Sequence, residues 1–319
     1  MMDSVANKLR PAVKNESAFS ATVRKIKTYK YFYLMLLPGL AFFFIFKYIP
    51  IYGIQLAFKE FQYNKGIIGS PWIGLANFYS LVKEKDFMTA FSNTLIISGM
   101  KIAVGFPFPI ILAILINEIR KKNVKKVLQT VYTFPHFLSW VVLSGISINL
   151  FSNTGAINNC IAALGMERLD FLTDKHLFRY FLVFSESWKE AGWSTILYLA
   201  AIAGIDVSIY EAATVDGANR FHKIMYITLP GIMGMTIVLL ILNLGHIMEA
   251  GFMQVFNLYN PAVYDVSDII DTYIYRISFQ QTPNFGFSTA VGLFKGLANF
   301  VLLMSANRIT KWFGHSGIV

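Results

Sequence analysis

The sequence predicts an all-α integral membrane protein with six transmembrane helices. Of its 319 residues, 55% are apolar and only 14% charged, and the mean hydropathy is +0.52, far from the composition of a soluble domain. The apolar residues gather into six runs of membrane-crossing length, because a helix rises about 1.5 Å per residue and about 20 residues cross a hydrocarbon core of roughly 30 Å. The runs also lack the period-two alternation of barrel strands. Backbone in lipid must close its hydrogen bonds within a helix or a closed barrel, so helix is the reading left.

The expected spans are 31–49, 93–117, 127–151, 177–204, 229–248 and 287–307. The second carries Lys101 and the pair Pro107 and Pro109, which remove backbone donors, so it should kink and be repaired by neighbouring helices. The fourth is the most polar, with Arg179, Glu186, Lys189 and Glu190, yet 196–205 is apolar and aromatics punctuate its first half. Between the first two spans, 50–91 has turn signals at Gly66, Gly69 and Pro71 and a WIGLANF stretch at 72–78, with room for a short interfacial helix. The connections 152–176 and 249–285 are rich in Asn, Gly, Asp and Pro, too polar to cross, and are candidate docking surfaces.

Lys and Arg in the connections set the orientation. If the N-terminus is cytoplasmic, the inner segments hold sixteen: Lys8, Arg10, Lys14, Arg24, Lys25, Lys27 and Lys30, five within 118–126, Arg220, Lys223, Arg308 and Lys311. The outer loops hold seven, although they are longer in total: Lys59, Lys65, Lys83, Lys85, Arg168, Lys175 and Arg276. The expected layout is a basic cytoplasmic arm 1–30 able to lie on anionic membrane lipid, one membrane domain 31–308 with a cytoplasmic loop 205–228, and a cytoplasmic tail 309–319. Both termini face the cytoplasm of an inner (plasma) membrane.

Several classes are disfavoured. The formal charge of +10 sits in juxtamembrane positions, which topology explains without nucleic acid. Residues 1–30 are too long and polar before the first apolar run for a signal peptide, so the first span should be retained. Cys160 is the sole cysteine, and His136, His176, His222, His246 and His315 are scattered, which gives no disulfide and no metal-ligand spacing. Neither an internal repeat nor a low-complexity tract is evident.

The most specific segment is 211–230, EAATVDGANRFHKIMYITLP, a polar stretch between two apolar runs. Good helix formers fill 210–216, Gly217 can stop the helix, and Pro230 suits the first turn of the next one. A short helix lying across the membrane surface follows. With Glu211, Ala212 and Ala213, then Gly217, then Ile227, Leu229 and Pro230 at fixed offsets, the segment resembles the EAA loop of ABC importer permeases of the binding-protein-dependent, type I class. Ile224 departs from the pattern, standing where such permeases often carry Phe.

That resemblance implies a coupling helix inserted into a cleft of a cytoplasmic ATP-binding dimer, with a second permease subunit, most simply in a heterodimer, and an extracytoplasmic solute-binding protein. Glu211 would pair with a basic residue of the ATPase, Ala212 and Ala213 permit close approach, Asp216 and Gly217 form the bend, and Phe221 supplies an apolar anchor. The chain has no G-x-x-x-x-G-K-[ST] loop. It therefore binds no cofactor itself and is no enzyme; ATP and Mg belong to the partner.

Intramembrane polar residues usually face a cavity or a partner helix. Glu186, Lys189 and Trp193 share a face of the fourth span, Asn243, His246 and Glu249 one of the fifth, and Lys295 and Asn299 one of the sixth; together they would line a water-filled path. Packing across helices explains them equally, with Glu186 and Lys189 paired. The run 186–193, ESWKEAGW, leading through 204–206 into 210–213, resembles the carbohydrate branch of the family, particularly permeases for aldouronates and alginate oligosaccharides. Trp188 and Trp193 can stack on sugar rings or sit at an interface. Lys189 and Lys295 would balance an anionic sugar, or form ion pairs with Glu186 or Glu249. A secondary, ion-coupled sugar transporter is the alternative and would want midplane carboxylates and repeat-related helices. A membrane enzyme would want a catalytic set deep in the bundle, for which only Glu186 and Glu190 offer themselves.

Overall fold

The computed structural model describes Lys25 and residues 27–312. Most of the expected basic arm and the end of the tail lie outside the described residues. The chain separates into two units, Met1–Gln55 and Leu56–Val319. The first holds helix α1 (Lys30–Phe43) and a π turn (Phe44–Tyr48), and the 3-10 segment that follows (Ile49–Phe58) crosses the boundary at Gln55, the helical run counting 29 residues in all. None of the α1 side chains is buried, and α1 is apolar on every side, as a lipid-facing helix is.

The second unit holds the bundle. After a short α2 (Ala76–Lys83), helices α3 (Lys85–Gly105) and α4 (Pro107–Asn117) form one 33-residue span. The interruption falls at Phe106, where Pro107 removes a donor while the Phe106 amide still reaches Ile102 O at 3.0 Å. The expected start at 93 is about two turns late. The expected third span is corrected: it is not continuous, because α5 (Lys122–Thr133) ends in a 3-10 turn (Phe134–Phe137) at Pro135, and α6 (Trp140–Phe151) restarts only after Ser139 caps Val142 N at 3.3 Å. A further short helix, α7 (Ala156–Ala163), follows.

The helix that looked most polar is the hub. α8 (Lys175–Ala203) starts on Asp174, whose carboxylate accepts from His176 N and Leu177 N at 2.7 and 3.0 Å, and it packs against α3, α4, α5 and the later α10. Those two amide donors hold the Asp174 carboxyl below its usual range. Burial of Phe178, Phe181, Leu182, Ala191, Tyr198 and Ile202 anchors α8. At Gly192 a Cβ would lie 1.9 Å from Tyr132 O, so only a bare backbone lets the end of α5 close on α8.

Beyond α8 the chain bends by 69° into α9 (Val207–Val215), and after one turn (Arg220–Lys223) and a π turn (Ile224–Thr228) enters α10 (Leu229–Gly245). The helical run Arg220–Gly245 starts earlier and stops earlier than the expected 229–248. Short α11 (Phe252–Leu258) and α12 (Ile270–Tyr275) precede α13 (Phe285–Trp312), which contains the last expected span. Among the described residues five helical runs are long and apolar enough to cross a membrane, and α8 with α9 makes a sixth if the bent pair is one span.

Apolar clusters fill the bundle. Ile97, Phe178 and Leu182 meet Val255, Val263 and Ile269; Leu81, Phe87 and Ala90 meet Met248, Tyr273 and Val291; at the other ends of the same helices, Ala113, Tyr198 and Ile202 meet Ile232. The segment 259–281 is tied on by polar contacts. Arg179 donates to Asn93 Oδ1 (2.6 Å) and Val266 O (2.9 Å), Asn93 donates to Asp265 O and Asp268 O (both 3.1 Å), and Asp268 pairs with Arg276 at 2.7 Å. Earlier in the chain, buried Lys59 donates to Ile67 O and Ile68 O at 2.7 and 3.2 Å beneath the Trp72 ring.

Gly192→Ala should therefore lower the thermal midpoint of the detergent-solubilised protein, by about 1–3 kcal/mol of overpacking. Gly234→Ala, where the space around a Cβ is open, should leave the midpoint unchanged or raise it; equal effects would contradict the close approach.

Candidate functional site

Two regions concentrate the polar chemistry. The first is the α9 segment. Asp206 caps α9 by accepting from Ser208 N at 2.9 Å, and the Ser208 amide and hydroxyl hold its carboxyl below the usual range. The helix ends in a Schellman motif: Ala218 N reaches Ala213 O at 2.8 Å, Gly217 N reaches Thr214 O at 3.1 Å, and Gly217 sits at φ +81°. Gly217 thus stops the helix where the sequence placed the stop.

Asn219 then caps the next turn through His222 N at 2.9 Å. Tyr210 Oη to Thr228 Oγ1 (2.9 Å) and Lys223 Nζ to Thr214 Oγ1 (2.7 Å) pin the returning chain to α9. Glu211, Ala212, Asp216, Gly217 and Phe221 are exposed and Ala213 is half-buried. Glu211 has no ion-pair partner among the described residues, and Val215 and Phe221 expose 88% and 66% of their surface. A rigid helix presenting a free carboxylate and two bare apolar side chains is suited to insertion in a groove.

The second region is a cavity of about 230 Å³ bounded by α3, α4, α8 and α10. α10 stops at Gly245, and the chain leaves helical geometry until Gly251, at φ +89°, starts α11. Buried non-helical backbone needs partners from the protein. Lys101 supplies them: its ammonium donates to Ala250 O (2.7 Å) and to Gln254 Oε1, with Glu186 Oε2 3.6 Å away. Gln254 in turn donates to Leu182 O and Ser185 Oγ at 2.7 and 2.8 Å, fixing the break against α8. A Cβ at 251 would sit 2.8 Å from Lys101 Nζ.

Of the residues expected on a path, Glu186, Asn243, His246 and Glu249 do line this cavity. His246 Nδ1 faces Leu242 O at 2.8 Å and therefore carries the proton, which leaves Nε2 as an acceptor. The others are elsewhere. Lys189 is buried and donates to His136 O (2.9 Å) and Glu190 Oε1 (2.8 Å); His136 Nδ1 meets Glu190 Oε2 at 2.7 Å, and the His136 ring stacks on Trp193 at 4.7 Å. On α8 the positions 186, 190 and 194 form the cavity face, while 189 and 193 turn to the broken third span. Trp188 is half exposed on neither face. Lys295 pairs with Asp271 at 2.6 Å, and Asn299 donates to Gly245 O at 2.5 Å.

The expected pairings are thus corrected. Glu186 pairs with Lys101 instead of Lys189, and Lys295 with Asp271 instead of Glu249, each across a helix contact, while Lys189 takes the neighbouring Glu190 on α8 itself. Lys101 entered the sequence reading only as an interruption of an apolar run. A single lysine inside the otherwise apolar or small run 95–116 is itself the signal that finds it.

A multi-pass bundle around a polar cavity, with a capped helix exposed between two of its long helices, defines a membrane transport permease. The chain belongs to the family described as binding-protein-dependent transport system inner membrane component, whose pattern matches residues 105–315. A polygalacturonan/rhamnogalacturonan transport system permease protein of Bacillus subtilis (strain 168), YteP, is 44% identical over 295 residues, 92% of either chain. Protein LplB of the same strain is 40% identical over 318 residues, 99% of this chain and 100% of that one. Among solved structures, a chain of a bacterial alginate ABC transporter in complex with alginate pentasaccharide-bound periplasmic protein superposes with a TM-score of 0.84 at 39% identity, covering 92% of this chain and 99% of that one.

Removing the ammonium would leave Ala250 O, Gln254 and the Glu186 carboxylate buried without compensation. Lys101→Ala should then destabilise the protein by about 3–5 kcal/mol, and adding Glu186→Ala should recover part of it. Thermal unfolding of the solubilised variants checks both; a neutral Lys101→Ala would remove the capping role.

Proposed function

We propose that this chain is the membrane-spanning permease subunit of an ATP-driven importer that moves uronate-containing oligosaccharides inward by alternating access. The observation that carries the mechanism is α9, capped at both ends, exposed, and joined through Arg220–Thr228 directly to a span. In this reading α9 seats in a cleft of a cytoplasmic ATPase dimer, with Glu211 paired to a cation, Ala212 and Ala213 at the contact, Asp216 and Gly217 at the turn and Phe221 as anchor. ATP and Mg stay with that dimer. Closure of the dimer pulls α9, and the spans on either side of it follow as rigid bodies.

A second permease completes the channel, and an extracytoplasmic binding protein delivers the sugar to the 50–91, 152–176 and 249–285 side. The termini are cytoplasmic, as the sixteen-to-seven distribution of Lys and Arg favours. The acidic substrate is supported by the relatives: one is a polygalacturonan/rhamnogalacturonan permease, and a second solved neighbour, at 40% identity and TM-score 0.84, imports the acidic polysaccharide alginate. The path through this subunit is the cavity of Glu186, Asn243, His246 and Glu249, with Lys101 in its wall.

Reconstitution of the full complex in vesicles tests the coupling. Glu211→Lys should cut sugar uptake about tenfold or more while ATP hydrolysis and membrane insertion persist. Uptake at the unmodified rate would overturn it.

A further inference from the structure

Buried polar atoms in folded proteins nearly always find a partner, so the exceptions mark places built for something else. Among the described residues four side-chain atoms are buried without a hydrogen bond: Ser98 Oγ, Glu186 Oε2, Ser187 Oγ and Asn299 Oδ1. The first three belong to residues lining one cavity. Ser98 and Ser187 are themselves more than nine-tenths buried, at 4% and 7% exposure.

The backbone keeps this group open. Ser98 lies one turn before Lys101 on α3, and Gly105 one turn after it; a Cβ at 105 would stand 3.3 Å from Ser187 Oγ. With glycine there, the Ser187 hydroxyl has nothing across from it.

The chemistry of the group is selective. A serine hydroxyl donates once and accepts twice, and a carboxylate only accepts. Two hydroxyls and a carboxylate oxygen therefore ask chiefly for donors, which sugar hydroxyls supply and a sugar carboxylate does not. The cavity also carries Glu190 and Glu249, so its carboxylates outnumber its ammonium. That ammonium is largely committed: it donates to Ala250 O and Gln254 Oε1 and stands 3.6 Å from Glu186 Oε2, an ion-pair distance too long for a hydrogen bond, so the carboxylate already balances its charge while the oxygen still lacks a donor. Lys189 and Lys295 are held by Glu190 and Asp271.

We propose that this chain's face of the cavity is a hydroxyl-reading sugar subsite formed by Ser98, Glu186 and Ser187, and that the charge balancing a uronate carboxylate comes from the second permease. The assignment rests on the importer reading above and gives it a division of labour between two halves of one channel.

Direct binding to the nanodisc-embedded permease–ATPase complex, without the binding protein, is the test, with trigalacturonate and its carboxyl-reduced trisaccharide as probes. Ser98→Ala and Ser187→Ala should each raise Kd about fivefold to tenfold, by the same factor for both probes, as loss of one hydrogen bond implies. The thermal midpoint should stay level or rise, since each change deletes an unpaired buried hydroxyl, and a purely structural serine would lower it. A loss confined to trigalacturonate would show that these residues read the carboxylate, and an unchanged Kd for both probes would show that they read nothing; either overturns the subsite. So does a complex that binds neither sugar. The importer reading is judged separately, by vesicle uptake in the Glu211 experiment.

Discussion

A helix that stops inside a folded bundle leaves carbonyl groups with no partner in the helix, and this protein answers that problem with buried ammonium groups. Lys101 caps Ala250 O at the break after α10, Lys189 caps His136 O at the break before α6, and Lys59 caps Ile67 O and Ile68 O in the loop after the first span. Two of the three then need a counter-charge, and Glu186 and Glu190 provide it from adjacent turns of α8. The polarity of α8 follows from its place at the centre of a bundle in which neighbouring segments break at Pro107, at Pro135 and after Gly245. Irregular backbone at depth is what makes room for a polar cavity, and the charges in the wall of that cavity are first of all what the irregular backbone requires.

The surface helix is held by a different device. Asp206 fixes its beginning, the Gly217 turn its end, and Tyr210 and Thr214 tie it to the chain running back into the membrane. Asp206, Tyr210, Thr214, Asn219 and Thr228 are committed locally, while Glu211, Val215 and Phe221 face outward. This division suits a lever: internal bonds keep its shape, and only the outward side chains are available to a second protein. The cavity and the lever meet in α8, which lines the one with Glu186 and Glu190 and continues, through a 69° bend, into the other.

Much of this was legible in residues alone. The α9 segment was, because helix formers, glycine and proline at fixed offsets specify a local structure that needs no tertiary knowledge. The family was legible there too. The six apolar runs were legible as lengths but not as edges: Pro135 breaks the third, whereas an apolar count runs straight through it, and 85–92 precedes the expected second span although it is helical. Side-chain partners were not legible. Spacing along α8 put Glu186 and Lys189 on one face, yet a difference of one position turned Lys189 toward His136 and left Glu186 to Lys101, on a helix 85 positions earlier in the chain. Which ammonium meets which carboxylate is decided by packing between helices, and one chain's periodicity carries no record of it. Lys101 shows the limit most plainly: the sequence marks it as unusual, and only the break at 246–251 says why it is there.

The π turn at Ile224–Thr228 gives the connection a phase as well as a stiffness. A wide turn holds one residue more than the α-helix it interrupts, and one residue corresponds to about 100° of rotation. The azimuth at which Glu211 and Phe221 point away from the bundle is therefore tied to the residue count between Gly217 and Pro230. A substitution that keeps these caps and ties keeps the phase; a single-codon deletion would iron the bulge into regular helix and swing the contact face a quarter-turn or more. The spacing of the loop thus sets where its contact face points, and its residue types set only what that face carries.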